Sequence, residues 1–199
     1  LCNFEDNSAC KTMMKREEEL LIIERIKAGE TGLYKQLVDF HSPRILSIIR
    51  GVVKSREDAE EVAQDVFVKA YFSLSGFRGD CSFSTWLFRI AYNMSISKTR
   101  SKKRDNIPCE NMAHVPDNSD IDVFEESEKD RVIKILYQEI KELEPGDRFI
   151  ILSFYNHEKS IREISEICRM SESNVKVKLH RIKKRLSLSM NEKIDLCYG

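Results

Sequence analysis

Residues 160–186 read SIREISEICRMSESNVKVKLHRIKKRL and contain two amphipathic helices joined by a turn. The apolar residues recur every three or four positions, which is the spacing of a buried helix face. They are Ile161, Ile164 and Ile167 in the first helix, and Val175, Leu179, Ile182 and Leu186 in the second. Ser160 and Glu163 match the capping box that begins a helix, and the turn falls near Met170–Ser173. The stretch therefore predicts a helix-turn-helix.

The second helix of this motif carries basic and polar side chains away from its apolar stripe. Such a helix fits the DNA major groove, where residues at its N-terminus reach base edges and flanking cations contact phosphates. For base edges we expect Ser173, Asn174, Lys176 and Val177; for phosphates we expect Lys178, Arg181, Lys183 and Lys184, with His180 on the same face. A helical hairpin with a solvated basic face is the alternative interpretation.

Helical spacing also accounts for the chain before this motif. The predicted helices run from Glu17 to Arg50 with breaks at Gly29/Gly32 and Ser42-Pro43, from the capping box Ser55–Asp58 to Leu74, from a Ser84 cap to Arg104, from Val132 to Leu143, and from Asp147 to Tyr155. Pro145-Gly146 is expected to separate the last two, and the helix-turn-helix is expected to end near Ser189. The sequence has no strand pattern, so the predicted fold class is all-α.

Charge divides the chain into two helical domains and a linker. Residues 86–104 carry six bases and no acid, residues 105–127 carry seven acids and no base, and residues 169–185 carry seven bases and one acid. The acidic segment also has Pro108 and Pro116 and lacks periodicity, which is typical of a flexible linker. We therefore expect a first domain at 13–104, a linker at 105–127 and a second domain, with the helix-turn-helix, at 128–195. Two basic blocks favour a nucleic-acid partner.

A second candidate site lies in the first basic block. On a helix, one face would hold Trp86, Arg89, Asn93, Ser97 and Arg100. An aromatic ring, an amide and cations on one face suit single-stranded DNA, because unpaired bases stack on rings and cations hold phosphates. The loop from Phe77 to Phe83, including Cys81, could wall a pocket for an unstacked base. For Phe83 a place in the core is an equal alternative.

The helix that begins near Ser55 has an apolar stripe and an acidic side. Ala59, Val62, Ala63, Val66 and Ala70 form the stripe. Asp58, Glu61, Asp65 and Lys69 line the opposite side, with Gln64 at its edge. Taken alone, this side is typical of a solvated helix surface.

Several function classes are disfavoured by composition. No stretch approaches the ~20 apolar residues of a membrane helix, and the start has no signal-peptide pattern, so we expect a cytoplasmic protein without direct membrane contact. The six Cys and four His lack metal-ligand spacing, and no nucleophile–base pair or phosphate-binding Gly loop is present. We expect no metal, no cofactor and no enzymatic activity. Translation is expected to start at Met13 or Met14, since residues 1–12 carry little pattern.

Three segments together resemble the extracytoplasmic-function sigma factors of bacterial RNA polymerase. The stretch DAEEVAQDVF at 58–67 resembles the family's polymerase-binding helix. The stretch FRGDCSFSTWLFRIAYN at 77–93 is similar to its segment for the −10 promoter element. LEPGDR at 143–148, together with residues 160–186, resembles its domain for the −35 element.

The resemblance implies two helical sigma domains, domain two and domain four, on a flexible linker. It implies that Glu61, Gln64 and Asp65 bind the clamp of the polymerase core. It places Phe77, Cys81, Trp86 and Asn93 around the melted −10 base, and Lys176, Val177 and Arg181 at the −35 element. It also implies promoter DNA and an anti-sigma protein as partners.

Other classes of protein fit the sequence less well. A regulator that binds only duplex DNA would share the helix-turn-helix, but it has no use for Trp86 and Asn93 on a basic helix. A helical adaptor would leave both basic blocks unexplained.

Overall fold

We describe the protein from a computed structural model that covers residues 16–105 and 128–198. Over these ranges it is all-α, which confirms the predicted fold class. The first bundle consists of α1 Arg16–Lys27, α2 Tyr34–Val52, α3 Arg56–Ser73 and α4 Phe83–Asp105; the second consists of α5 Glu128–Lys141, α6 Pro145–Tyr155, α7 Ile161–Cys168 and α8 Glu172–Tyr198. Short 3₁₀ turns occupy Thr31–Leu33 and Leu74–Gly76. The expected start region 1–12 and linker residues 106–127 lie outside the described residues.

Helix α2 continues through Pro43, where a junction was expected. Proline removes one backbone hydrogen bond and normally kinks or ends a helix. Here the flanking residues Leu37, His41 and Ile45 are buried at helical spacing, whereas Pro43 faces solvent. Burial of this apolar face outweighs the local cost of proline, so the sequence prediction was wrong at this point.

A buried polar pair joins α1 to α2. His41 Nε2 lies 2.8 Å from Glu19 Oε1, and their side chains are 3% and 8% exposed. Buried polar groups need a partner, because an unpaired one loses its hydrogen bonds to water without replacement. The pair therefore holds α1 in one register on α2.

Helix α6 begins at Pro145, two residues earlier than expected. Proline is favoured in the first helical turn, because the backbone N–H that it lacks has no partner there. Arg148, one turn later, is buried and donates to the carbonyl of Leu143 at 2.9 Å and to that of Lys141. Pro145 therefore starts α6. Arg148 then holds the end of α5 against α6 through its hydrogen bonds to the two carbonyls.

The helix-turn-helix forms as the sequence predicts. Ser160 Oγ accepts from the Glu163 backbone N–H, and the Glu163 carboxylate accepts from the Ser160 N–H, so the capping box is complete. Arg169 ends α7 in the left-handed region at φ 53°, which turns the chain toward α8. The predicted stripes are buried in both helices, apart from the partly exposed Ile161. Helix α8 continues to Tyr198, beyond the expected end near Ser189.

The capping glutamate should make folding sensitive to acid. Partial burial acts to raise the pKa of Glu163, but hydrogen bonds from Lys159, the Ser160 backbone and Thr85 outweigh it and lower the pKa to about 2. Because the folded state favours the charged carboxylate, its contribution is present above the ordinary pKa of 4.5 and is lost as pH falls toward 2.

We therefore expect Glu163→Gln, which retains a capping residue, to lose less stability than the parent between pH 6 and pH 3 in urea unfolding. Glu17→Gln, an exposed substitution on α1, serves as the control. Equal losses of unfolding free energy in the parent and Glu163→Gln would contradict this role of the carboxylate.

The two bundles pack directly on each other. Phe88 of α4 and Phe149 of α6 are fully buried with ring centroids 6.3 Å apart, and Tyr92 meets Phe149 at 5.1 Å. Arg148 also donates to the carbonyl of Val52 at the end of α2, at 3.1 Å. The hydrophobic core is thus continuous from the first bundle to the second.

Candidate nucleic-acid and polymerase interfaces

Helix α4 is positioned by Ser82 rather than by the expected Ser84. The Ser82 hydroxyl accepts from the Thr85 backbone N–H at 3.0 Å, so Ser82 caps the helix and Phe83 becomes its first residue. This start is favoured because it buries Phe83, which is 1% exposed, in the core of the first bundle. Ser84 instead accepts a hydrogen bond from Lys159 of the second bundle at 3.1 Å.

The expected face of α4 starts at a platform of three aromatic rings. Trp86 is partly exposed and stacks on Phe83, with centroids 5.6 Å apart and planes at 30°; Phe77 lies 5.3 Å from Trp86. Phe77 and Phe83 are buried, so in this conformation they support Trp86 and present no open face to a base. The remaining members of the face are Arg89, which is partly exposed, and Asn93, Ser97 and Arg100, which are exposed.

A cavity of about 300 Å³ lies beside Trp86. Its wall is formed by the loop 76–81, Trp86, Arg89 and Glu166. Cys81 is in this wall, and burial raises the pKa of its thiol, which favours the neutral form at neutral pH. The structure thus brings the predicted loop together with Trp86 and Arg89 at one concave site, and Asn93, Ser97 and Arg100 lie outside it.

The acidic side of α3 is divided between α4 and solvent. Asp58 accepts from Lys102 and lies 3.4 Å from Lys98, and Glu61 accepts from Lys98 at 2.7 Å. Hydrogen bonding to Lys102 is the main cause that lowers the pKa of Asp58. The expected capping box is therefore incomplete: Ser55 caps α3 by accepting from the Asp58 N–H, but the Asp58 carboxylate turns to α4.

Glu61, Gln64 and Asp65 all expose their side chains on the outer surface of α3. The predicted stripe from Ala59 to Ala70 is buried beneath them. A partner can therefore reach Gln64 and Asp65 without disturbing the bundle, whereas at Glu61 it would compete with Lys98 of α4.

Helix α8 presents most of its expected residues to solvent. Ser173, Asn174, Lys176, His180, Arg181 and Lys184 are exposed, and Val177 is 46% exposed. Lys178 is partly exposed and pairs with Asp147 of α6, so it is held within the protein. Lys183 lies over the ring of Tyr155, with its ammonium 5.4 Å from the centroid. Lys178 is therefore drawn toward α6, whereas Lys183 stays on the exposed surface beside Tyr155.

Sequence reasoning missed the residues that connect the bundles. Thr85 donates to Glu163 at 2.9 Å, and Arg89 Nε donates to the backbone carbonyl of Glu166 at 2.9 Å. One signal was available in the sequence. Gly51 lies inside α2, where glycine lowers helix stability, so its presence suggests that a neighbouring element packs closely there. A Cβ at Gly51 would lie 2.4 Å from Leu152 Cδ1 of α6.

Two family models match the chain. Sigma-70 region 2 matches residues 37–105, and Sigma-70, region 4 matches residues 133–186. Among curated proteins, the chain is 27% identical over 181 residues to the ECF RNA polymerase sigma factor SigW of Bacillus subtilis, covering 85% of this chain and 95% of that protein. It is 26% identical over 187 residues to the RNA polymerase sigma-H factor of Pseudomonas aeruginosa, covering 89% and 96%.

Solved structures with this fold include the sigma factor RpoE of Bartonella quintana, in complex with the anti-sigma factor NepR. It has a TM-score of 0.61 and 20% identity, covering 79% of this chain and 96% of that one. CnrH, in complex with the cytosolic domain of CnrY, has a TM-score of 0.62 and 20% identity, covering 86% of this chain and 96% of that one.

Among the helices of residues 16–105 and 128–198, none combines the length and the apolar character that a membrane span requires.

Proposed function

The chain belongs to the sigma-70 family, in its extracytoplasmic-function group, and from this premise we propose how its surfaces divide the work of promoter recognition. As a sigma factor it binds RNA polymerase and directs transcription initiation. We assign the polymerase clamp to α3, the melted −10 strand to α4 and the −35 duplex to α8. The proposed domain limits are 13–104 and 128–195, with 105–127 as the linker.

The observation that carries the −10 assignment is the cavity beside Trp86. A ring supported by Phe83 and Phe77 offers a base a rigid stacking surface at the edge of a concave site. Asn93 lies two turns further along α4 and can form hydrogen bonds to a base edge, while Arg89 and Arg100 can hold phosphates. Paired bases hide their faces in the duplex, so this arrangement suits a melted strand.

The −35 assignment is supported by the exposed N-terminal half of α8. Ser173, Asn174, Lys176 and Val177 lie in its first two turns, where a recognition helix approaches base edges. Val177 can contact a thymine methyl group, and Arg181 and Lys184 lie further along for phosphates. Lys178 would have to leave Asp147 before it could contact DNA, so we expect it to contribute less to DNA binding than Arg181 and Lys184.

This division predicts different effects for two substitutions on α8. Lys176→Ala should lose a base-edge contact worth ~1–3 kcal/mol and relax the sequence preference. Arg181→Ala should weaken binding to all sequences alike and lower the salt slope by about one, as expected for a phosphate contact. The measurement is affinity of the holoenzyme for matched and mismatched −35 sequences at several salt concentrations. The same dependence on sequence in both variants would contradict the division.

We propose further that the chain acts in the cytoplasm and that an anti-sigma protein binds it. One solved protein of this fold, the sigma factor RpoE of Bartonella quintana, is in complex with the anti-sigma factor NepR. We assign no catalytic chemistry to this chain, since its role is to guide an enzyme that makes RNA. No cofactor is required for the contacts proposed above.

The proposed function is tested by mixing the chain with RNA polymerase core and genomic DNA and sequencing the 5′ ends of the transcripts. We expect start sites that appear only with the chain and share two upstream elements. Transcripts that start at the same positions with core alone would contradict the proposal.

A further inference from the structure

We propose that α1 positions the −10 loop, defined as residues 76–81, and that Arg16 and Lys27 hold its backbone in the shape that selects the unstacked base. The inference rests on the proposed function of the cavity beside Trp86, because this loop forms most of the cavity wall. It adds α1, which lies behind that wall, to the elements that determine −10 specificity.

The −10 loop has little backbone structure of its own. Residues 77–82 belong to no helix or strand, although they connect the turn ending at Gly76 to the start of α4. Within the part of the chain that the structure describes, the backbone of residues 78–81 forms no hydrogen bond to another backbone group. Gly79 has a φ of 79°, in the left-handed region that glycine adopts without strain. The shape of the wall therefore depends on side chains from other elements.

Two cations of α1 provide such contacts. Lys27 Nζ donates to the carbonyl oxygen of Phe77 at 2.8 Å, and Arg16 Nη2 donates to that of Gly79 at 3.2 Å. Leu20 lies between them on α1, with its Cδ2 3.6 Å from the position of a Cβ at Gly79. Arg16, Leu20 and Lys27 are spaced i, i+4 and i+11, which places them on one helix face. Hydrogen bonds from a cation are stronger than those from a neutral donor, so this face can fix the loop backbone at two points.

Helix α1 is itself fixed on the first bundle. Ile23 and Ile26 are buried, and the buried Glu19–His41 pair joins the helix to α2. The His41 ring also lies 5.4 Å from the ring of Phe83, which supports Trp86. The two cations therefore reach the loop from a rigid support that also contacts the base of the aromatic platform.

The contact from Lys27 should matter more than the contact from Arg16. Lys27 holds the backbone of Phe77, whose ring lies 5.3 Å from Trp86, so a shift of this residue would change both the support of Trp86 and the width of the cavity. The Lys27 side chain is 23% exposed, whereas Arg16 is exposed and its hydrogen bond competes with water. Because a pocket for an unstacked base selects by its shape, loss of Lys27 should reduce selectivity.

The test measures how holoenzyme made with each variant binds a fluorescein-labelled single-stranded −10 oligonucleotide taken from a mapped promoter. Lys27→Met removes the ammonium and keeps the linear stem. We expect it to weaken binding of the matched strand about tenfold, as for one charge-assisted hydrogen bond. Binding of a strand with a substituted −10 base should change little, so the ratio of the two affinities falls. Lys27→Arg can donate to the same carbonyl and should restore most of the ratio.

Lys35→Met is the matched control, since it removes an exposed lysine that pairs with Asp39 on α2. It should keep the parental ratio. Trp86 is the single tryptophan of the chain, so acrylamide quenching of the free chain reports on the loop beside it. Lys27→Met should raise this quenching, and a thermal melt verifies that the variant is folded.

A folded Lys27→Met variant with the parental affinity ratio would overturn the proposal, whatever its quenching, because equal weakening of both strands is what a merely structural role predicts. If Lys27→Met does not unfold cooperatively, Arg16→Met decides the question. It changes an exposed side chain, and its ratio should fall in the same direction; a parental ratio would overturn the proposal.

Trp86→Ala separates this inference from the function on which it rests. If holoenzyme with Trp86→Ala binds the matched strand as tightly as the parent does, the −10 assignment fails. If Trp86→Ala weakens binding and Lys27→Met leaves the ratio unchanged, the −10 assignment stands and the role of α1 fails.

Discussion

Trp86→Ala is expected to reduce promoter opening by about 5- to 100-fold, while binding to the closed promoter changes little. Stacking of a base on an aromatic ring contributes roughly 1–3 kcal/mol, and unstacking the base from DNA costs a few kcal/mol. The Trp86 ring is held by Phe83 and Phe77, so it offers this stacking surface without reorganising. Permanganate reactivity of promoter thymines measures opening, and a gel-shift assay measures closed-complex binding.

Asn93→Ala should also reduce opening, but for a different reason. Asn93 is exposed on the same face and is proposed to contact the edge of the unstacked base. A template with a pre-melted −10 bubble should therefore partly rescue Trp86→Ala and should not rescue Asn93→Ala. Tyr155→Ala removes an exposed aromatic ring elsewhere and serves as the control. If both variants open the promoter as well as the parent, the −10 assignment is wrong.

The second large effect is expected at the polymerase surface. Gln64→Ala combined with Asp65→Lys should weaken binding to RNA polymerase core about tenfold or more, which corresponds to ~1.4 kcal/mol. Both side chains are exposed above a buried stripe, so the change removes an amide and reverses a charge without disturbing the bundle. Charges across an interface are arranged to be complementary, so reversing one of them opposes association.

The matched control is Gln36→Ala with Asp39→Lys, which makes the same chemical change on the exposed surface of α2. Fluorescence anisotropy of labelled chain with core gives the affinities, and a thermal melt verifies folding. Parental affinity in a folded Gln64/Asp65 variant would remove this part of α3 from the interface.

Apolar spacing and capping residues predicted the helices in which these local features agree with the tertiary packing. The stripe from Ala59 to Ala70 and the capping box at Ser160 are examples, because spacing and cap lie in one short segment. Prediction failed where a distant partner decided the outcome. Pro43 stays inside α2 because its neighbours are buried, and Asp58 leaves its cap because Lys98 and Lys102 approach from α4.

The residues of the candidate site could be predicted from the sequence, but their contacts with the second bundle could not. Helical spacing placed Trp86, Arg89 and Asn93 on one face, since that depends only on the period of α4. Nothing local to α4 indicates that Arg89 meets the Glu166 carbonyl, because this contact spans 77 positions of sequence. Gly51 was the one visible sign of close packing, and its partner Leu152 could not be identified from spacing.

The most direct test of the account is whether specific promoter binding requires the polymerase. Labelled promoter DNA, taken from a mapped start site, is titrated with the chain alone, with core alone and with both together. We predict sequence-specific binding and thymine reactivity only when chain and core are both present. Tight, specific binding of duplex DNA by the chain alone, with no opening when core is added, would contradict the account and indicate a duplex-binding regulator.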